Sequence, residues 1–309
     1  MKVIVLGGYG FVGKNVVEEL NKRGDEVFPL SRRNGFDLTK LDIVVDKFKK
    51  ISPDVIINCA AHVGSLHYVT EKAADVLDDN IRIIINIYKA VKISSPDTII
   101  INPISNCSYP GNTNIQNEVE YWKGPVHPSV WAYGNSRRML VVTSKCYNMQ
   151  YGIKSINFIA PNAYGPGDYT DPNRTHALNG MIIRMLEAKK KGAETFEIWG
   201  TGKPIREWIY VKDLARILVD AVERQKPQIE PINIAQNKGY SIKEIAEIIK
   251  EVVGYNGDLV FNTRYQDGDP VKILDDKLFR KKYPDFVFTD LKEGIKETVE
   301  YYKKELEVV

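Results

Sequence analysis

Cysteine is scarce in this 309-residue chain: Cys59, Cys107 and Cys146 are the three, and no Cys-x-x-Cys pair occurs. An odd and sparse set excludes a disulfide framework and points to a reducing compartment, the cytoplasm. Histidine is nearly as rare, and His62, His67, His127 and His176 show no zinc spacing, so no metal is expected. Long apolar runs are missing. No stretch approaches the roughly 18 residues of a membrane span, and Met1-Lys2 leads through Val3-Ile4-Val5-Leu6 into glycines rather than into a signal peptide. An excess of one charge is missing too. The 43 Lys and Arg face 40 Asp and Glu, a formal net charge of +3, which gives no reason to expect nucleic acid or an acidic membrane as partner.

What remains is a globular composition, 43% hydrophobic, long enough for one large α/β domain and a smaller lobe. Apolar strand patterns fall at 3–6, 26–30, 54–58, 98–101 and 154–159, with helical patterns at 11–22, 41–50, 71–92 and 130–150 between them. Such alternation predicts a Rossmann-type, doubly wound parallel sheet, whose ligands bind beyond the carboxyl ends of the strands. After Pro161 the chain turns rich in Gly, Pro, Asn and Asp. One helix is expected at 176–190, then a strand at 207–211 and a helix at 213–223. A last sheet strand is expected at 232–234, and two helices, 242–253 and 291–304, around a strand at 258–261. Gly294 weakens the first turn of the last helix. The expected division is a dinucleotide-binding domain, 1–160 plus about 206–235, and an interleaved C-terminal substrate lobe, about 161–205 plus 236–309.

Residues Gly7-Gly8-Tyr9-Gly10-Phe11-Val12-Gly13 join the first strand to the first helix. Gly7 allows the tight turn, Gly10 lets the backbone approach a pyrophosphate, and Gly13 permits close helix–sheet packing. The helix start, with Phe11 and Val12, offers free N–H groups and the positive end of its dipole. The second strand ends in Ser31-Arg32-Arg33, where an acid would hold a ribose 2′-hydroxyl. A hydroxyl and two guanidinium forks suit a 2′-phosphate instead, so NADP(H) is preferred and NAD(H) is the second option. The bland reading makes both arginines exposed loop charges; Asp37 and Leu38 are then left to edge the adenine.

Five further stretches carry a resemblance. They are Ala60-Ala61-His62-Val63-Gly64, Ser105-Asn106-Cys107-Ser108-Tyr109-Pro110, Tyr133-Gly134-Asn135-Ser136-Arg137, Pro161-Asn162-Ala163-Tyr164-Gly165-Pro166 and Trp199-Gly200-Thr201-Gly202-Lys203-Pro204-Ile205-Arg206-Glu207. With the glycine turn, over roughly the first 220 residues, they resemble the extended short-chain dehydrogenase/reductases. Within that family the likeness is to NADPH-dependent epimerase-reductases of 4-keto sugar nucleotides. The resemblance implies that Ser105 and Tyr133 bind the sugar O4 and that Tyr133 gives or takes its proton. It implies that Cys107 and His176 move protons at carbons beside the keto group, and that Arg184 and Arg206 contact the nucleotide. It places Ala60 and Ala61 with the cofactor residues and Asn162 and Ala163 beside the nicotinamide. A two-fold homodimer through the two long helices is the family's assembly.

One departure matters. The family's lysine, four residues after the tyrosine, is Arg137 here. A tyrosine with an ordinary pKa near 10 needs a nearby cation to lower it, and Arg137 supplies that charge but releases no proton. Arg138 points about 100° away around the helix. An absence is also informative: where the family's 4,6-dehydratases carry Asp-Glu, this chain has Asn106-Cys107-Ser108, and no carboxylate is there for dehydration. Three readings follow. The first is a reductase or epimerase-reductase. The second is a sugar-nucleotide C4 dehydrogenase or epimerase with tightly held NAD(H). The third, suggested by Arg137, is a non-enzymatic NADP-binding sensor. Cys107 could equally be a packing residue and His176 an exposed loop residue; Trp122 and Trp131 either shape the sugar site or belong to the core.

Overall fold

The computed structural model describes residues 1–172 and 174–307. The first half of the chain alternates β1 (Lys2–Leu6), α1 (Phe11–Arg23), β2 (Glu26–Leu30), α2 (Leu41–Ile51), β3 (Val55–Asn58), α3 (Leu66–Glu71), α4 (Ala73–Ser94), β4 (Ile99–Ser105), α5 (Trp131–Tyr151) and β5 (Ser155–Ala160). The second half runs β6 (Asn162–Tyr164), α6 (Ala177–Lys190), β7 (Thr195–Trp199), β8 (Ile205–Tyr210), α7 (Val211–Arg224) and β9 (Gln228–Asn233). It ends with β10 (Gly239–Ser241), α8 (Ile242–Val253), β11 (Asp258–Asn262), β12 (Val271–Lys272), α9 (Lys277–Lys282) and α10 (Leu291–Glu305).

Six parallel strands form the main sheet in the order β2-β1-β3-β4-β5-β9. The chain steps from β1 out to β2 and then crosses back to β3. The order therefore reverses between β1 and β3, and a crevice opens at their carboxyl ends. The central strands are apolar throughout because both faces are covered. Val55, Ile57, Ile99 and Ile101 face α1 and α7, while Ile56, Ile100 and Ile104 face α2, α4 and α5. Each such side chain contributes roughly 1.5–3 kcal/mol by burial. Three buried amides cross the strands on the second face. Asn58 donates to Asn102 (3.3 Å), Asn102 to Asn157 (2.9 Å), and Asn157 to the Ser144 hydroxyl (2.8 Å). Buried amides must be paired, so this ladder fixes the register of β3, β4 and β5 and with it the position of Ser105.

A third core lies under two small sheets, β10-β8-β12 with β6 on β8, and the parallel pair β7·β11. Helices α6, α8 and α10 cover it. Gly294 is at home in α10, because a Cβ there would lie 2.2 Å from the Tyr164 hydroxyl. The strands β6, β7, β10 and β12 and the short helices α3 and α9 were not among the expected elements, and the helix expected at 71–92 is α4 alone. One stretch also departs from the expected division. Phe279, Tyr283, Phe286 and Phe288 pack with Phe158 and α7 in the main-sheet core, not in the substrate lobe. Among the described residues, no helix is long and apolar enough to cross a membrane.

Candidate active site

The glycine turn has the geometry a phosphate cradle requires. Gly7 takes φ +72°, and a Cβ on it would sit 2.8 Å from the Cys59 carbonyl and 3.0 Å from the Ala60 Cα, so Ala60 and Ala61 begin at the wall of the turn. A Cβ on Gly13 would lie 2.1 Å from the Gly7 carbonyl, which is why α1 can press against β1. Gly10 is the N-cap of α1 and gives no side-chain cap, and the first turn carries no acid. The first N–H groups, at Phe11 and Val12, thus lie open to an anion. Ser31 caps the short turn Arg32–Asn34, and its two arginines splay: Arg32 lies 4.0 Å from Asp79, and Arg33 lies 5.8 Å from the Tyr169 ring centroid. Asp37 folds onto Thr39, whose backbone and hydroxyl bonds hold its carboxyl below the usual range against the opposing effect of burial. The Leu38 side chain is buried in the main core, which leaves only its backbone to edge an adenine. Cys59 packs half-buried against the main core, and burial pushes its thiol up to about 12.

Beyond the turn, Ser105 ends β4, and Tyr133 lies in the first turn of α5. Ser105 lies close enough to the Tyr133 hydroxyl to favour its ionised form and accepts the Cys107 N–H at 3.2 Å. One helical turn on, the Arg137 guanidinium lies 5.4 Å from the Tyr133 ring centroid. Burial raises the Tyr133 pKa; Arg137 and the Ser105 hydroxyl pull it down but do not outweigh burial, and the net shift is upward. The expectation that a guanidinium makes this phenol acidic is thereby corrected: the charge is present, but desolvation of a phenolate costs more. Arg137 is itself 3% exposed. It donates to Asn80 Oδ1 at 2.7 Å, while its Nε is buried with no partner. Arg138 turns away, as its position demands, to the carbonyls of Ser108 and Tyr121.

The site extends to groups the sequence reading did not single out. Lys272, in β12, donates to Cys107 Sγ at 3.4 Å. It reaches there because it pairs with Arg206 across β8. Nothing in a two-residue strand signals such a partner. Arg206 lies within electrostatic reach of Cys107 and donates to the Asp267 carbonyl at 3.2 Å; burial, opposed by Asp269 and Cys107, lowers its pKa. Arg184 stacks instead on Trp199 (4.4 Å) beside the Trp199–Tyr265 pair, so the two arginines have different neighbours. Asn162 and Ala163 form β6 against Trp208 and Ile209, and the Asn162 amide donates to the Glu207 carbonyl.

His176 is the N-cap of α6, not its first residue, and its ring lies 5.2 Å from Phe11 of the glycine turn. Its Nδ1 lies 3.0 Å from Asp168 Oδ2, which also accepts from the His176 N–H and the Asn179 amide. Burial would lower the histidine pKa, but Asp168 overrides it and the net shift is upward. Asp168 is also missing from the sequence reading, although an acid eight residues before the histidine in a Gly-Pro-Gly loop was there to be noticed. Asn80 had a signal too, as the polar residue on the stripe Val76, Ile83, Ile84 and Ile87 that α4 buries. His62 pairs with Asp79 and Tyr68 (each 2.9 Å). Trp122 and Trp131 are 51% and 58% exposed, so the core reading of both fails.

A glycine cradle at a sheet switch point, with a Ser–Tyr pair and a cation one turn along, defines a nicotinamide-dinucleotide oxidoreductase of the short-chain type. An unpartnered buried Nε on Arg137 and an open helix start fit a dinucleotide. Comparison with known proteins agrees. Residues 3–235 match the NAD dependent epimerase/dehydratase family, and the chain belongs to that family. GDP-L-fucose synthase of Dictyostelium discoideum is 31% identical, over 97% of this chain and 94% of that protein. Among solved structures, a GDP-L-fucose synthetase from Naegleria fowleri superposes with a TM-score of 0.87 at 27% identity, covering 100% of this chain and 95% of that one. A GDP-mannoheptose C4 reductase from Campylobacter jejuni, with NADP bound, gives 0.84 at 27%, covering 98% of each.

Proposed function

We propose that this protein is an NADPH-dependent epimerase-reductase of a GDP-linked 4-keto sugar, of the kind that GDP-L-fucose synthase represents. The observation that carries this reading is the cluster of Ser105, Tyr133 and Arg137 beside Cys107 and Lys272. A reductase needs the first three, and a packing cysteine would have no use for an ammonium on its sulfur. The cradle, Ala60, Ala61, Asn162 and Ala163 would hold the coenzyme, with Ser31 and Arg33 at its 2′-phosphate, and Arg137 Nε would face its ribose. Bound there, the coenzyme supplies the hydride that reduces the sugar C4.

The residues do the rest. Ser105 hydrogen-bonds the sugar O4 and Tyr133 donates its proton to it, a role that a phenol kept protonated by burial serves well. The phenolate left behind is held in the field of Arg137 and regains a proton from water, because the guanidinium releases none. Before reduction, Cys107 takes a proton from a carbon beside the keto group, with the Lys272 charge at its sulfur. His176, whose protonated form Asp168 favours, returns a proton to such a carbon. Arg206 and Arg184 bind the nucleotide's phosphates and base. Leu77 and Met139, exposed on α4 and α5, supply apolar surface for a homodimer through these helices in the cytoplasm.

The test is oxidation of NADPH by the purified protein with GDP-4-keto-6-deoxymannose. Tyr133→Phe should lower turnover about 10²- to 10⁴-fold while leaving coenzyme affinity unchanged. Equal rates for the two proteins would refute the mechanism. A retained, non-exchanging NAD(H) would favour the epimerase reading, and coenzyme binding with no turnover on any keto sugar would favour the sensor.

A further inference from the structure

Residues 165–172 lie across the first turns of α1, and His176 joins them there. Asn15 donates to the Pro166 carbonyl at 3.2 Å, and Lys14 Cε stands 2.2 Å from where a Gly167 Cβ would be. The His176 ring lies over Phe11, and the Tyr169 hydroxyl is 3.9 Å from the Cβ position of Gly10, the turn residue that a pyrophosphate approaches. Tyr169 thus overhangs the cradle. Two guanidiniums lie against its ring: Arg174, from the same loop, at 3.9 Å from the centroid, and Arg33, from the far side of the turn, at 5.8 Å. Lys14 is close enough for Arg33, after burial, to depress its ammonium. Two guanidiniums on one ring, with the Lys14 ammonium near Arg33, repel one another, and a polyanion in their midst removes that cost.

We propose that Arg174 and Tyr169 close the coenzyme's phosphate site from the side of the substrate lobe, Arg174 meeting the pyrophosphate while Arg33 meets the 2′-phosphate. Tyr169 is the post on which both guanidiniums are held by cation–π contact, so their forks are in place before the anion arrives. The proposal rests on the functional reading above. It adds a cofactor residue in a loop that nothing in the glycine fingerprint marks.

The experiment measures binding, not turnover: dissociation constants of NADPH and NADH for the full chain by fluorescence or calorimetry. Arg174→Ala should weaken both dinucleotides about tenfold, because both carry the pyrophosphate. Arg33→Ala should weaken NADPH about tenfold and NADH less than twofold. Tyr169→Leu should weaken both dinucleotides, and NADPH more than NADH because Arg33 loses its post as well, whereas Tyr169→Phe should stay within twofold of the parent. Arg174 is exposed, so an unchanged melting temperature without ligand shows that the variant is folded. Affinities of Arg174→Ala within twofold of the parent for both ligands would overturn the proposal, and so would a loss confined to NADPH. A parent protein that binds neither dinucleotide would instead sink the functional reading.

Discussion

Tyr133, in the first turn of α5, and His176, at the N-cap of α6, are both side chains crowded by protein. Burial opposes the charged form of each. For Tyr133 the stabilising cation is a guanidinium 5.4 Å from the ring centroid, and burial wins. For His176 the counter-ion is a carboxylate in direct hydrogen-bonding contact at 3.0 Å, and the counter-ion wins. Glu207 completes the series. It is 0% exposed, its oxygens meet only backbone N–H groups such as those of Gln236 and Leu274, and burial lifts it to about 7. A hydrogen-bonded opposite charge overcomes desolvation here; a nearby charge or a set of neutral dipoles does not. Both Tyr133 and His176 are thereby biased toward their protonated forms, one by burial and the other by its counter-ion.

Removing the counter-ion should reverse the histidine's side of this contrast. The folded His176 value lies above its usual one, so the ion pair is complete below the ordinary histidine range and fades as pH rises through the raised value. Asp168, depressed by the same partner although burial opposes it, loses its share only as pH falls through its own lowered value. Asp168→Asn should therefore leave His176 to burial. Solvent deuterium exchange at the carbons beside the keto group should drop about ten- to a hundredfold at pH 8, with a smaller gap at pH 6 and an alkaline limb displaced downward. An alkaline limb that stays in place would show that Asp168 does not set the charge.

A smaller effect is expected at Glu207. Its carboxyl is raised in the folded state, so its contribution is full below the ordinary glutamate range and is lost as pH climbs through about 7. The loss is on the order of 3 kcal/mol. Glu207→Gln should flatten this dependence, so that the melting temperatures of parent and variant differ by several degrees less at one of pH 5.5 and 8 than at the other. Parallel curves would mean that Glu207 does not titrate in this range.

The same two regions differ in how well the sequence discloses them. The main sheet was readable because parallel strands covered on both faces are unbroken apolar runs, and because Gly7, Gly10 and Gly13 fall where a strand meets a helix. Ser105, Tyr133 and Arg137 lie at strand and helix ends that such a pattern locates. The smaller lobe hides its parts. β7 buries only alternate residues, β12 has two, and Lys272 reaches Cys107 across 165 positions of chain. The upward shift at Tyr133 was also out of reach, since burial is a property of packing and the sequence shows only that Arg137 is present. Phe279 and its aromatic neighbours misled the division for a related reason: an apolar cluster near the C-terminus does not say which core it joins.

The most direct test is the pH dependence of single-turnover NADPH oxidation with a keto sugar nucleotide already epimerised, which isolates the reduction. If burial keeps the Tyr133 phenol protonated and ready to donate, the rate stays level from about pH 6.5 to 9 and falls only above the ordinary tyrosine range. A rate that falls with a midpoint below pH 8 would mean that Arg137 does make the phenol acidic, and the account given for this site would be wrong.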